Sequence, residues 1–298
     1  MRPPPLETGS ALYQSVRAEA STESLKSVLP HRALALPTPA SPRRLSRAFT
    51  LWDDIISIVS GRLRAFDPTT EDEFVQIYGH CQKYTMTSWK RMYALYSSIN
   101  YAVDARIAGD IVECGVWRGG SMMLAARTLM ARSAASRRIF CYDTFSGMVE
   151  PGELDRDGVN QTTARRRWRR SASDSGSSWN SASLAEVKSN LASTGYPAAL
   201  LRFVQGPVED TIPGIIPDRI SILRLDTDWH ASTLHELRHL YPRLVRGGVL
   251  ILDDYGYWLG AKDAADEYFS GLPNRPLLSR IDYSGRIAIR TDDPVESQ

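Results

Sequence analysis

The chain has 298 residues, 43% of them hydrophobic, with 36 Lys+Arg against 34 Asp+Glu and a formal net charge of +2. That is enough apolar material for a core of its own and no global field of either sign, which argues against a dedicated nucleic-acid binder. Cys81, Cys114 and Cys141 form no CxxC pair and an odd set, against a disulfide scaffold or a zinc ribbon; with no leader-like apolar segment and no run of the roughly 18 apolar residues a membrane span needs, the chain reads as cytoplasmic.

Residues 1–46, including LALPTPASPRR, show no sustained apolar period and read as a disordered tail. Residues 47–108 read as an N-terminal helical segment. Leu51, Ile55, Ile58, Val59 and Leu63 share one stripe of an amphipathic helix, Thr70 and Glu73 have capping-box spacing ahead of FVQIYGHCQKY, and Met92, Leu95, Tyr96, Ile99 and Val103 mark a further helix. Over 109–292 the short apolar runs DIVEC, RIFCYD, LLRFVQ, ISILRLD and GVLILDD alternate with helical stretches near 121–131, 183–193, 232–244 and 262–269. This is the pattern of an α/β domain with a mainly parallel sheet. PLLSRID and RIAIRT, on either side of Tyr283-Ser284-Gly285, predict a C-terminal antiparallel hairpin closing that sheet. Between 155 and 180 the chain carries six Arg and three Asp with almost nothing to bury, so it reads as a mobile insertion, a lid over a substrate pocket. Its ARRRWRR run offers phosphate contacts with Trp168 as a stacking base, but a solvated loop explains it as well and no nucleic-acid partner is expected.

The chemistry gathers at the carboxyl ends of the strands, where ligands bind in open parallel sheets. The first strand runs into Glu113-Cys114-Gly115-Val116-Trp117-Arg118-Gly119-Gly120-Ser121. A glycine-rich turn of this kind serves a tight strand-to-helix connection or a backbone that approaches a ligand. Trp117 and Arg118 crowd it where a dinucleotide's pyrophosphate needs bare backbone, and Glu113 adds an anion. Asp143 ends the second strand, where a carboxylate can accept from both hydroxyls of a ribose. Together these features fit S-adenosylmethionine. Asp226, Asp253 and Asp254 emerge at the ends of two further strands; individually they suit caps and turns, but three uncompensated carboxylates in one cleft fit a hard divalent cation, Mg2+. Asp228 beside them reads as an outer or solvated acid.

GDIVECGVWRGGS, CYDTFSGM, RFVQGPVEDTIP, ILRLDTDWHAST and RGGVLILDDYG occur in one order and spacing, and over about 85–290 the chain resembles the macrocin O-methyltransferase family of sugar O-methyltransferases. The resemblance implies a class I methyltransferase (Rossmann-like) fold, S-adenosylmethionine as methyl donor, Mg2+, a small-molecule hydroxyl acceptor such as a glycoside of a natural product, and homo-oligomers. It carries cofactor contacts onto Thr85, Met86, Glu113, Cys114, Gly115, Val116, Trp117, Ser121 and Asp143, metal ligands onto Asp226, Asp253 and Asp254, and the general base onto Asp226. Where relatives read DGDLYEST this chain has Asp226-Thr227-Asp228-Trp229-His230-Ala231-Ser232-Thr233, which bears on the acceptor; His230 is there either a contact or an ordinary half-buried histidine. Two other readings stand beside this one. His235-Glu236-Leu237-Arg238-His239 matches the HExxH pattern of zinc hydrolases, but helical spacing turns both imidazoles away from the apolar set Leu234, Leu237, Leu240, Leu244 and Val245. A catalytically silent S-adenosylmethionine-binding protein is the second.

Overall fold

The computed structural model describes residues 71–173 and 176–292. The expected tail, the stripe from Leu51 to Leu63, and Thr70 lie outside the described residues. Helix α1 (Asp72–Cys81) starts from Glu71 with no side-chain cap. The expected capping box involves Thr70 and so lies outside the described residues; Glu73 accepts a hydrogen bond from Tyr96 Oη at 3.0 Å. Helix α2 (Trp89–Asp104) is capped by the Ser88 hydroxyl, and Met92, Leu95, Tyr96 and Ile99 are buried as their spacing predicts, with Val103 half-buried at the edge.

Strand β1 (Asp110–Cys114), helix α3 (Gly120–Ala131) and strand β2 (Ile139–Asp143) open the α/β domain. Helix α4 (Arg165–Ser171) and the short hairpin of β3 (Ala172–Ser173) and β4 (Gly176–Ser177) follow. Then come α5 (Leu184–Ala192), β5 (Leu201–Gln205), α6 (Val208–Thr211), β6 (Ile220–Leu225), α7 (His230–Leu240), β7 (Leu244–Leu252), α8 (Leu259–Ser270), β8 (Ser279–Arg280) and β9 (Arg286–Ile289). The main sheet has the order β5-β2-β1-β6-β7-β9-β8. Its first five strands are parallel, while β9 pairs antiparallel with both β7 and β8. The predicted hairpin closes the sheet. Helix α7 stops at Leu240 rather than 244 because Pro242 takes the chain through a turn at 241–243, and β7 correspondingly begins early.

Alternation along the strands loads both faces. Ile111, Ile139, Cys141, Ile222 and Ile251 pack against α1, α2, α3 and α5, and Val112, Cys114, Phe140, Leu223 and Leu252 against α7 and α8. Each fully buried aliphatic side chain is worth ~1.5–3 kcal/mol, and these layers offset the charged side chains that β1 and β6 bury between them. The three cysteines are buried and free, and among the described residues no helix is long and apolar enough to cross a membrane.

Residues 155–180 depart most from expectation. Ala164 and Trp179 are buried in a third apolar cluster with Trp229, Trp258 and Ala261. Asp155 is 1% exposed; its carboxylate accepts from the backbone N–H of Gly152 and, at 2.8 Å, of His230 at the start of α7. Asp157 likewise accepts from the N–H groups of Val159, Asn160 and Thr162. What reads in the composition as a segment with nothing to bury is folded down by one tryptophan and two acids spent on backbone amides.

Candidate active site

At the carboxyl end of β1 the chain turns at Gly115, whose φ is +81°. The neighbouring strand ends are stitched to it: Gly115 N donates to Tyr142 O at 2.8 Å, Asp226 N to Cys114 O at 2.9 Å, and Asp253 N to Leu225 O at 2.9 Å. A side chain at 115 would run into the carbonyl of Asp226, so glycine is needed both for the left-handed backbone and for the close approach. Asp143 fastens the turn from the β2 side. Its Oδ2 accepts from Val116 N at 2.9 Å and Trp117 N at 3.0 Å, and its Oδ1 from Phe145 N at 2.8 Å. Burial raises the Asp143 pKa while those amides pull it down.

Two cavities flank this turn. The first, whose empty space including its open mouth is about 680 Å³, is bounded by Gly115, Asp143, Gly147, Gly206, Val208 and Ser232, among others. The second, of about 790 Å³, is bounded by Thr85, Arg91, Asp254, Tyr257, Trp258 and Tyr283, among others. Met86, Trp117, Asn180, Asp226 and Asp228 line both.

Beneath the junction lies a buried ionic network. Arg224, 1% exposed in the middle of the sheet, pairs with Glu113 on β1 and with Asp253 at the end of β7. It also reaches Asp226 Oδ2 at 2.8 Å and the Thr87 hydroxyl at 2.8 Å. Burial alone would lower the Arg224 pKa, but Asp226 and Glu113 outweigh it and hold the guanidinium charged. Ser121 Oγ donates to Glu113 Oε1 at 2.5 Å. Arg91 of α2 takes the other oxygen of Asp253 and holds Asp282 at 3.0 Å.

Above the network Asp226, Asp228 and Asp254 each bring a carboxylate oxygen within 4.8 Å of the others. Asp254 Oδ2 is buried without a hydrogen-bond partner. Burial, followed by Asp228 and Asp226, pushes the Asp254 pKa well up; burial and the Asp226 charge push Asp228 up to about 7, against the pull of Asp254, Arg167 and Arg91. Hard oxygen donors, mutual repulsion and an orphaned buried oxygen fit a divalent cation.

The family model for macrocin-O-methyltransferase (TylF) matches residues 48–287. The chain belongs to this family. It is 32% identical over 202 residues to demethyldecarbamoylnovobiocin O-methyltransferase of Streptomyces niveus, covering 68% of this chain and 74% of that one. It is 33% identical over 172 residues to mycinamicin III 3''-O-methyltransferase of Micromonospora griseorubida, covering 58% and 65%. The solved structure of the O-methyltransferase NovP superposes with a TM-score of 0.62 at 32% identity, covering 70% of this chain and 83% of NovP. The protein is an O-methyltransferase with the class I fold.

In this O-methyltransferase, seven of the nine residues expected to touch a cofactor line the cavities: Gly115 and Asp143 the first, Thr85, Val116 and Ser121 the second, and Met86 and Trp117 both. Glu113 and Cys114 do not. Both are fully buried, Glu113 holding Arg224 and Ser121 from below and Cys114 packed in the opposite apolar face. The expected set Asp226, Asp253 and Asp254 is not the one brought together, because both oxygens of Asp253 face arginines; Asp228, read from sequence as an outer acid, stands in the cluster instead. Arg91 and Arg224 were not anticipated, although an arginine inside the apolar run ISILRLD has to be paired wherever that run is buried. In HELRH the two imidazoles lie 4.5 Å apart and His235 contacts the Ile212 carbonyl at 2.8 Å. Glu236 does not join them: it is fully buried and accepts from the Thr227 hydroxyl at 2.9 Å. His230 is half-buried, 3.4 Å from Glu267.

Proposed function

We propose that the protein transfers the methyl group of S-adenosylmethionine to a hydroxyl of a sugar on a natural product, with Mg2+ at the carboxylate cluster. The observation that carries this reading is the junction: Asp226 and Asp228 border both cavities at once, where a methyl donor lying in the first and reaching Thr85, Val116 and Ser121 at the near wall of the second would meet an acceptor in the rest of the second. The relatives named above, which methylate demethyldecarbamoylnovobiocin and mycinamicin III, point the same way, as does a 33% identical 4'-O-methyltransferase of a rhamnosyl-tetracenomycin from Streptomyces olivaceus. The residues around Gly115 and Asp143 suit the cofactor, and Asp226 with Asp254 suits Mg2+, which is commonly held by one or two carboxylates and completes its shell with water. When bound, S-adenosylmethionine supplies an electrophilic methyl and Mg2+ a Lewis acid beside the acceptor oxygen.

The chain's own part is orientation and proton transfer. Arg224 fixes one oxygen of the Asp226 carboxylate at 2.8 Å, which orients that residue as a ligand. Asp228, held up to about 7, has the basicity suited to taking the hydroxyl proton as the new C–O bond forms. We therefore place the general base on Asp228 rather than Asp226. Asp253 carries two arginines and serves the scaffold.

Calorimetric titration with S-adenosylhomocysteine, with and without Mg2+, tests the assignment. Micromolar binding without stoichiometric zinc is the expected outcome; absence of binding together with a tightly held zinc would overturn it in favour of HELRH.

A further inference from the structure

Residues 155–180 supply three side chains to the acceptor cavity, Arg167, Trp179 and Asn180. Trp179 is 6% exposed and is wedged at right angles to Trp229, with ring centroids 5.6 Å apart, and against Trp258 at 6.2 Å. The Arg167 guanidinium lies over its ring, 4.1 Å from the centroid. Trp168, which the sequence offered only as an alternative stacking base, is turned to the protein, donating its indole N–H to Met148 O at 2.8 Å.

A guanidinium packed face-on keeps its N–H edge free, and that edge matches two oxygens of a carboxylate or phosphate. Arg167 is exposed, and besides the Trp179 ring its charge acts on Asp228 across the cavity. The other cation lining this cavity, Arg91, is spent on Asp253 and Asp282. Arg166, Arg169 and Arg170 of the same helix are exposed and add to the local positive field. The cavity thus carries both signs, with the carboxylates at the junction and the cation contributed by residues 155–180 facing Asp228 across it.

We infer that the acceptor carries an oxyanion, a carboxylate or phosphate, which Arg167 clamps on the Trp179 platform while the hydroxyl end lies at Asp228. This rests on the proposed methyl transfer to a sugar. Arg167 is then a specificity-determining residue.

The test is calorimetric titration of the full chain, saturated with S-adenosylhomocysteine in excess Mg2+, with glucose 1-phosphate, glucuronate and methyl glucoside. The expected result is that one or both anionic sugars bind at least tenfold more tightly than the neutral glycoside; which of them does so tells a phosphorylated sugar from a carboxylate-bearing one. Arg167→Ala should erase the preference with S-adenosylhomocysteine affinity unchanged, and Arg167→Lys, which keeps charge but loses the fork, should retain only part of it. Equal affinities, no measurable binding of any probe, or a preference that survives in Arg167→Ala overturns the inference. If the wild type fails to bind S-adenosylhomocysteine, the methyltransferase reading itself falls, and this one with it.

Discussion

The two cavities that meet at Asp226 and Asp228 are built by different means. The cofactor side is a backbone structure: a left-handed glycine, three amides gathered on Asp143, and strand ends tied to one another. The acceptor side is a side-chain structure, assembled from α2, the ends of β6 and β7, the segment after β7, and residues 155–180. Backbone geometry tolerates varied side chains around it. A side-chain wall changes whenever one contributing segment changes, and so it can specialise while the cofactor side stays constant.

Asp228→Asn, nearly equal in size, should break the chemistry while leaving the shape of both cavities: turnover falls about 10³-fold, while S-adenosylhomocysteine binding by calorimetry stays within error. Full activity in that variant would remove Asp228 from the mechanism. Asp143→Asn should act on the other side alone. Losing part of a charge-assisted set of amide bonds should weaken S-adenosylhomocysteine binding about 10- to 100-fold, with the Mg2+ titration unmoved; an equal loss in both titrations would mean that the two sides are not separable.

The smallest expected effect lies beneath them. Burial raises the Glu236 pKa well above 4.5, so the folded protein holds a proton that the unfolded chain releases. Stability therefore falls as pH rises above about 4.5. Glu236→Gln has no such proton to lose, and its melting temperature should gain on the wild type by roughly 2–4 °C between pH 5 and pH 8. A difference constant over that range would show that Glu236 is ionised in the fold.

The same contrast explains what was legible in the sequence. Strands β1, β2, β6 and β7 are continuous apolar runs because both faces are covered, and the Gly115 turn is consecutive in the chain, so both could be read directly. The acceptor side could not. Asp253 and Asp254 are neighbours in sequence with different partners, one turned to arginines and the other to the cluster, and adjacent residues at a strand end project to opposite sides. Asp228 enters the cluster through a left-handed backbone, φ 69°, that no periodicity signals. Residues 155–180 looked polar because their burial rests on Trp179 and on carboxylates bonded to backbone, neither of which composition weights as core.

Arg224 has a further consequence, for the order in which the chain can fold. Glu113 sits in β1, an interior strand of the sheet, and its counter-charge is made 111 residues later. Until β6 arrives, completing β1 means burying an uncompensated carboxylate, a cost of several kcal/mol. A nascent chain ending before 220 should therefore leave the β5-β2-β1 half of the sheet open. The domain closes as a unit, late, around one arginine.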